Sequence, residues 1–190
     1  MGERVFHFEP DQVAYFEVEG WKAYYDHAWI RLLRLIIALV QAQFSIPFPQ
    51  SWRAAYFVTR ASAAWAPKDH DMGEIEPHLR SFYALARRYS GLKFDVNAVA
   101  ALELRYWDAH RRLVGSDDKT EFLEAMIALH AALFGLSGEQ ARESAELRVE
   151  ANNVLDTITG GTSRDPAADW QRCQSLLQRC YRSLQAAAQP

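Results

Sequence analysis

Cysteine is almost missing from this chain. The two present, Cys173 and Cys180, lie about 10 Å apart along one predicted helix, too far to bridge each other. That spacing excludes a disulfide-stapled fold and points to a reduced, cytoplasmic compartment. Long apolar runs are also lacking. The longest, Leu35 to Val40, is far too short to span a bilayer. The opening stretch MGERVFHFEPDQ has no apolar signal core. Gly2 follows the initiator Met, but Phe6 breaks the myristoylation pattern. Charge of one sign is missing too: a net charge of -3 gives no electrostatic reason to expect nucleic acid or an anionic membrane as partner. There is no Gly-rich phosphate loop, no Cys-x-x-Cys pair, no Gly-x-Ser-x-Gly elbow and no basic recognition helix. Period-two strand patterns are nearly absent.

What remains is helical. Apolar residues make up 49% and charged residues 24%, which excludes a disordered chain. The length suits one domain over 1–190. Apolar spacing of three and four recurs throughout, and the expectation is an all-α, single-domain bundle of about seven helices. The first is expected as one long helix from Asp11 to Phe44, stopped by Pro47 and Pro49. Ser51 is expected to cap a short helix to Trp65, rich in small residues. Asp71 with Glu74 predicts a capped helix to Tyr89, ended by Ser90-Gly91. A fourth helix covers Asp95 to Leu113. A fifth starts at Asp117 or Asp118 and ends at Gly135. Ser137 caps the sixth, closed by Gly160-Gly161, and the seventh carries Trp170, Cys173, Leu177 and Cys180 on one stripe.

The two halves of the chain resemble each other. FEPDQVAYFEVEGW, starting at Phe8, lies over FDVNAVAALELRYW, starting at Phe94. Phe, Val, Ala, Glu and Trp coincide, and the same shift lays Ser51 over Ser137. A duplication, 8–93 and 94–190, is the reading this pattern suggests.

The candidate chemistry sits on the paired helices. Glu103 and His110 lie at the centre of an apolar face with Val99, Tyr106 and Trp107. Glu17 interrupts the equivalent face formed by Val13, Ala14 and Trp21. A buried carboxylate must be paired, metal-bound or protonated. Two inward glutamates with histidines are how helical bundles hold dimetal centres. His130 and Glu150 complete a candidate ligand set of Glu17, Glu103, His110, His130 and Glu150, for Fe, Mn or Zn. Glu103-x6-His110 resembles one ligand helix of the heme-oxygenase-like dimetal oxidases. The second His/Asp ligand helix of that family has no counterpart here. The competing reading is a structural polar network in which Arg53 and Arg60, seven apart on the small-residue helix, pair with Glu17 and Glu103 beside His110.

Two functions follow as expectations. The first is a non-catalytic accessory or adaptor protein, binding a protein partner or a second copy of itself through its aromatic helices. The second is a metal-dependent helical oxidase, oxygenase or metal-binding protein. Neither calls for nucleic acid or a membrane.

Overall fold

The computed structural model describes residues 6–188, and Gly2 lies outside the described residues. The chain is all-helical, with eight helices and no strand among the described residues. They are α1 (Pro10–Tyr25), α2 (Trp29–Phe44), α3 (Gln50–Trp65), α4 (Met72–Ser90), α5 (Val96–Leu113), α6 (Thr120–Phe134), α7 (Gly138–Thr159) and α8 (Pro166–Ala188).

The eighth helix arises because the expected 11–44 helix is two. The chain reverses at Asp26–Ala28, where His27 takes a left-handed conformation with φ 56°. The Ala28 N–H donates to the Ala23 carbonyl and closes the turn. No Gly or Pro marks this break. Histidine is one of the few non-glycine residues that enters that region readily. The reversal folds α2 back on α1, so that Glu19 of α1 pairs with Arg31 of α2.

Other ends follow local rules. Asp71 Oδ1 accepts from the Gly73 N–H, and Asp95 Oδ1 from Ala98 N–H. Ser137 and Gln140 form a reciprocal capping box. Gly91 and Gly135, at φ 86° and 70°, close α4 and α6 in the left-handed region that favours glycine. Ser51 is not a cap: it lies inside α3, buried, where its Oγ accepts from Gln41 Nε2 of α2.

Each helix packs on the next, and α8 returns to α1, so the contacts form a closed circuit. Two further contacts, α2 with α4 and α6 with α8, cross it. The core inside holds Phe122, Ile75, Leu79, Leu177, Val18 and Val99 among its fully buried side chains. Cys173 and Cys180 are small core residues. Burial pushes both thiols up to about 12, which keeps them protonated and unreactive.

Candidate functional site: a buried polar network

α1 and α5 both carry a glutamate into the interior. On α1, Val13, Ala14 and Val18 are buried around Glu17. Glu17 receives both arms of Arg148 from α7, Nη2 at 2.6 Å and Nη1 at 2.7 Å. The Tyr181 hydroxyl of α8 donates to Glu17 Oε2 at 2.5 Å. Arg148 also lies 5.3 Å from the Trp21 ring centroid, in cation–π range. The two charged side chains are only 14% and 10% exposed. Such a two-pronged, hydrogen-bonded pair satisfies both charges where little water reaches.

Glu103 is held differently. Tyr83 of α4 donates its hydroxyl to Oε2 at 2.9 Å, and Trp107 its indole N–H to Oε1 at 2.7 Å. Both donors are neutral. Burial raises the Glu103 carboxyl above its ordinary range; its two hydrogen bonds and the Arg148 charge pull the other way, and Glu17 adds to the rise. Two acids thus share one buried cation. The cation is spent on Glu17, leaving Glu103 as the acid whose neutral form the core favours. Tyr83 itself is held well above its usual range, by burial first and by Glu103 second.

The histidines are separate. His110 Nε2 lies 3.1 Å from both oxygens of Asp156 on α7, with its ring stacked on Phe122 at 5.0 Å. His130 is buried on α6, its Nδ1 2.8 Å from Ser144 Oγ. Ser144 spends its own proton on the Ala141 carbonyl, so Nδ1–H is the donor in this bond. Burial, aided by the Arg148 charge, lowers His130 to about 3, so the ring is neutral. Asn152 of α7 donates to the Tyr106 hydroxyl at 3.1 Å and completes the polar interior.

Of the five candidate ligands, the fold brings Glu17 and Glu103 into one electrostatic cluster around Arg148. His110 and His130 engage Asp156 and Ser144 instead. Glu150 is at the surface, paired with Arg172 at 2.7 Å. Arg53 and Arg60 are exposed on α3. The guanidinium that meets Glu17 is Arg148, and the groups that meet Glu103 are a phenol and an indole. Arg148 could have been found in the sequence. Ala141, Ser144, Ala145, Arg148, Ala151, Asn152 and Leu155 share one face of α7 by three- and four-residue spacing, and Arg148 is the charge within it. Tyr83 and Tyr181 give no such signal, because a phenol on an apolar stripe reads as ordinary core.

Among the described residues, no group of three or more His, Cys, Asp and Glu is arranged to hold a metal ion. A surface cleft of about 360 Å³ lies between Lys22, Tyr25, Asp26, Arg31, Ile158, Thr159 and Trp170, and a second between Asp117–Thr120 and the outer side of α7. Neither is lined by Glu17, Glu103, His110 or His130. Among the described residues, no helix is long and apolar enough to cross a membrane. No protein-family model, curated protein or solved structure matches this chain.

Proposed function

We propose that this chain is a non-catalytic protein-interaction protein whose buried charges fix its packing and whose aromatic outer face recruits a partner. The distribution of exposed apolar side chains carries this reading. Among the described residues, Tyr15, Tyr24, Tyr25, Trp29, Ile30, Phe48, Trp52, Tyr56 and Met72 are the large apolar side chains exposed up to residue 72, against Val114 alone after it. Scattered exposed hydrophobics need no explanation, but rings that adjoin on the surface, as Tyr24 does with Tyr25 and Trp29 at 5.2 and 6.0 Å between centroids, mark contact surface. The inward polar groups support the same reading. Glu17 is fully engaged by Arg148 and Tyr181, and Glu103 by Tyr83 and Trp107, so each has a structural task.

The proposal takes the fold as one domain made of two related halves. Replacing each helix in the contact circuit by the one four places on returns the same circuit: α1 with α8 becomes α5 with α4, and α2 with α4 becomes α6 with α8. The interior supports this. Glu17 and Trp21 correspond to Glu103 and Trp107; with the α3–α7 register moved by four residues, which gives up the Ser51–Ser137 match, Ala54 and Ala55 correspond to Ser144 and Ala145, and with a further move of eight Leu79 and Tyr83 correspond to Leu177 and Tyr181. In this alignment Arg148 corresponds to Val58, which accounts for the one cation between two carboxylates. Superposing α1–α4 on α5–α8 should bring Glu17 onto Glu103 and Tyr83 onto Tyr181; a superposition that separates these pairs ends the duplication.

A photo-crosslinking amino acid at position 56 tests the function. It should give a discrete adduct with a partner, while the same group at the corresponding surface position 146 should not. Equal labelling from both positions, or none from 56, overturns the reading. So would stoichiometric Fe, Mn or Zn in the purified protein that is lost in Glu103→Ala.

A further inference from the structure

The outer stripe of α3 differs from its counterpart on α7 in kind. Trp52 and Tyr56 are 50% and 55% exposed, one turn apart on the same side of the helix. Arg53 and Arg60 flank them and are exposed. Phe48, 70% exposed, continues the surface at the turn before α3. In the two-halves alignment proposed above, the α7 positions that correspond to Trp52, Arg53 and Tyr56 are Arg142, Glu143 and Glu146. Arg142 and Glu146 form a solvated ion pair at 3.8 Å. One half of the molecule therefore presents mixed charge where the other presents rings and arginine.

The chain segment that carries this stripe has charge of one sign, although exposed Glu74 of α4 lies one turn from His78, whose ring is 6.4 Å from that of Tyr56. Residues 27–68 contain no Asp or Glu, but include Arg31, Arg34, Arg53, Arg60 and Lys68. Arg31 is neutralised by Glu19; among the described residues, no ion pair engages Arg53 or Arg60. In a chain with a net charge of -3 this is a local reversal. Trp, Tyr and Arg are the residues that carry most binding energy at protein interfaces, and α3 itself supplies them with no Lys, Asp or Glu among its residues.

We propose that the Phe48–Trp52–Tyr56 stripe, with Arg53 and Arg60 beside it, docks an acidic amphipathic peptide segment of a different protein. This rests on the interaction reading above and gives it a site and a partner class. Apolar side chains of the segment cover the rings, and its carboxylates meet the two guanidiniums. A second copy fits poorly. A twofold contact would set the arginine stripes against each other, and a head-to-tail contact would have to close into a ring or run on as an open polymer. An anionic membrane is the weaker alternative, because lipid-binding patches use about four to eight clustered cations and this stripe offers two.

The test is a selection of random 20-residue displayed peptides against the intact protein, with Trp52→Ala/Tyr56→Ala and Arg53→Glu/Arg60→Glu as parallel targets. Wild type should enrich peptides with Asp or Glu around Leu or aromatic residues at helical spacing. Affinity for a selected peptide should fall on the order of thirtyfold in the ring variant and about tenfold in the charge variant, as removal of central aromatic and flanking charged contacts does. The charge variant should itself enrich basic peptides. Circular dichroism confirms that each variant is folded. Peptides that bind wild type and ring variant equally overturn this surface but leave the interaction reading standing. Enrichment of nothing overturns both. Neutral or basic peptides on wild type overturn the partner class. Tight binding to phosphatidylserine vesicles, lost in the same variants, reassigns the stripe to a membrane. A dimer in solution that dissociates in Trp52→Ala/Tyr56→Ala reassigns it to a second copy.

Discussion

Replacing Arg148 with Met is the sharpest probe of the interior. The substitution keeps a long flexible chain in the space between α7 and α1 but removes both charge-assisted bonds, at 2.6 and 2.7 Å, to Glu17. The Tyr181 hydroxyl alone is left for a carboxylate whose side chain is 10% exposed. Stranding one member of a buried ion pair costs about 3–5 kcal/mol. A chain of this size has on the order of 5–15 kcal/mol in all, so the variant should be the least stable single substitution of the set described here. Urea unfolding followed by circular dichroism measures the loss as a shift in midpoint at unchanged slope. The double variant Glu17→Gln/Arg148→Met removes the stranded charge, and should recover at least half of the loss. An Arg148→Met protein within about 1 kcal/mol of wild type, the ordinary scale for a surface change, would refute the claim that this pair locks α7 to α1. So would a double variant no better than the single one.

Three further expectations concern the same interior and the outer face. His130 is held at about 3 in the fold against about 6.5 in an unfolded chain. The folded state therefore binds fewer protons, and stability falls as pH drops from about 6.5 towards 3, by roughly 2 kcal/mol at pH 5; His130→Phe should flatten that acid limb relative to wild type. Glu103 has the opposite sign: its carboxyl is raised by burial, so its contribution is present at low pH and is lost as pH rises above the ordinary carboxylate value of about 4.3. Glu103→Gln keeps an acceptor for Tyr83, and its stability relative to wild type should improve as pH rises above about 4.3 and level off once the folded carboxyl has ionised; a difference that stays flat as pH rises from that value refutes the assignment. Trp52→Glu with Tyr56→Glu should change thermal stability by only about 0.5 kcal/mol, as exposed substitutions do, while abolishing binding of the acidic peptides selected against wild type. A large loss of melting temperature would show that these rings belong to the fold instead.

Much of this architecture was legible in residue spacing. Asp71, Asp95 and Ser137 stand as caps where short polar side chains precede apolar repeats. The interior positions of Glu17 and Glu103 follow from three- and four-residue periodicity. The α1–α2 reversal was hidden because the turn is made by Asp-His-Ala, with His27 taking the left-handed conformation that Gly usually supplies. Ser51 misled because a serine before an apolar run satisfies the cap pattern, whereas the cap position falls two residues earlier, at Pro49, and the helix uses the Ser51 hydroxyl to accept from Gln41. The counter-ion of Glu17 lies 131 residues away, and nothing local says which distant arginine will reach a given carboxylate. Arg53 and Arg60 had suitable spacing on the wrong side of their helix.

The closed contact circuit has a consequence for how the chain can be cut. Helix α8 lies against α1, and Gln185 Nε2 donates to the Phe8 carbonyl at 2.6 Å, so the two ends of the described chain meet. A ring of neighbours has no first member. Joining those ends with a short flexible linker and opening the chain between α4 and α5, just after Gly91, would leave every helix beside its present partners. The permuted protein would then read α5–α8 before α1–α4, synthesising Arg148 and Tyr181 before the Glu17 they secure. That order gives α1 a finished surface to fold against, whereas the natural order leaves its carboxylate waiting for the last two helices.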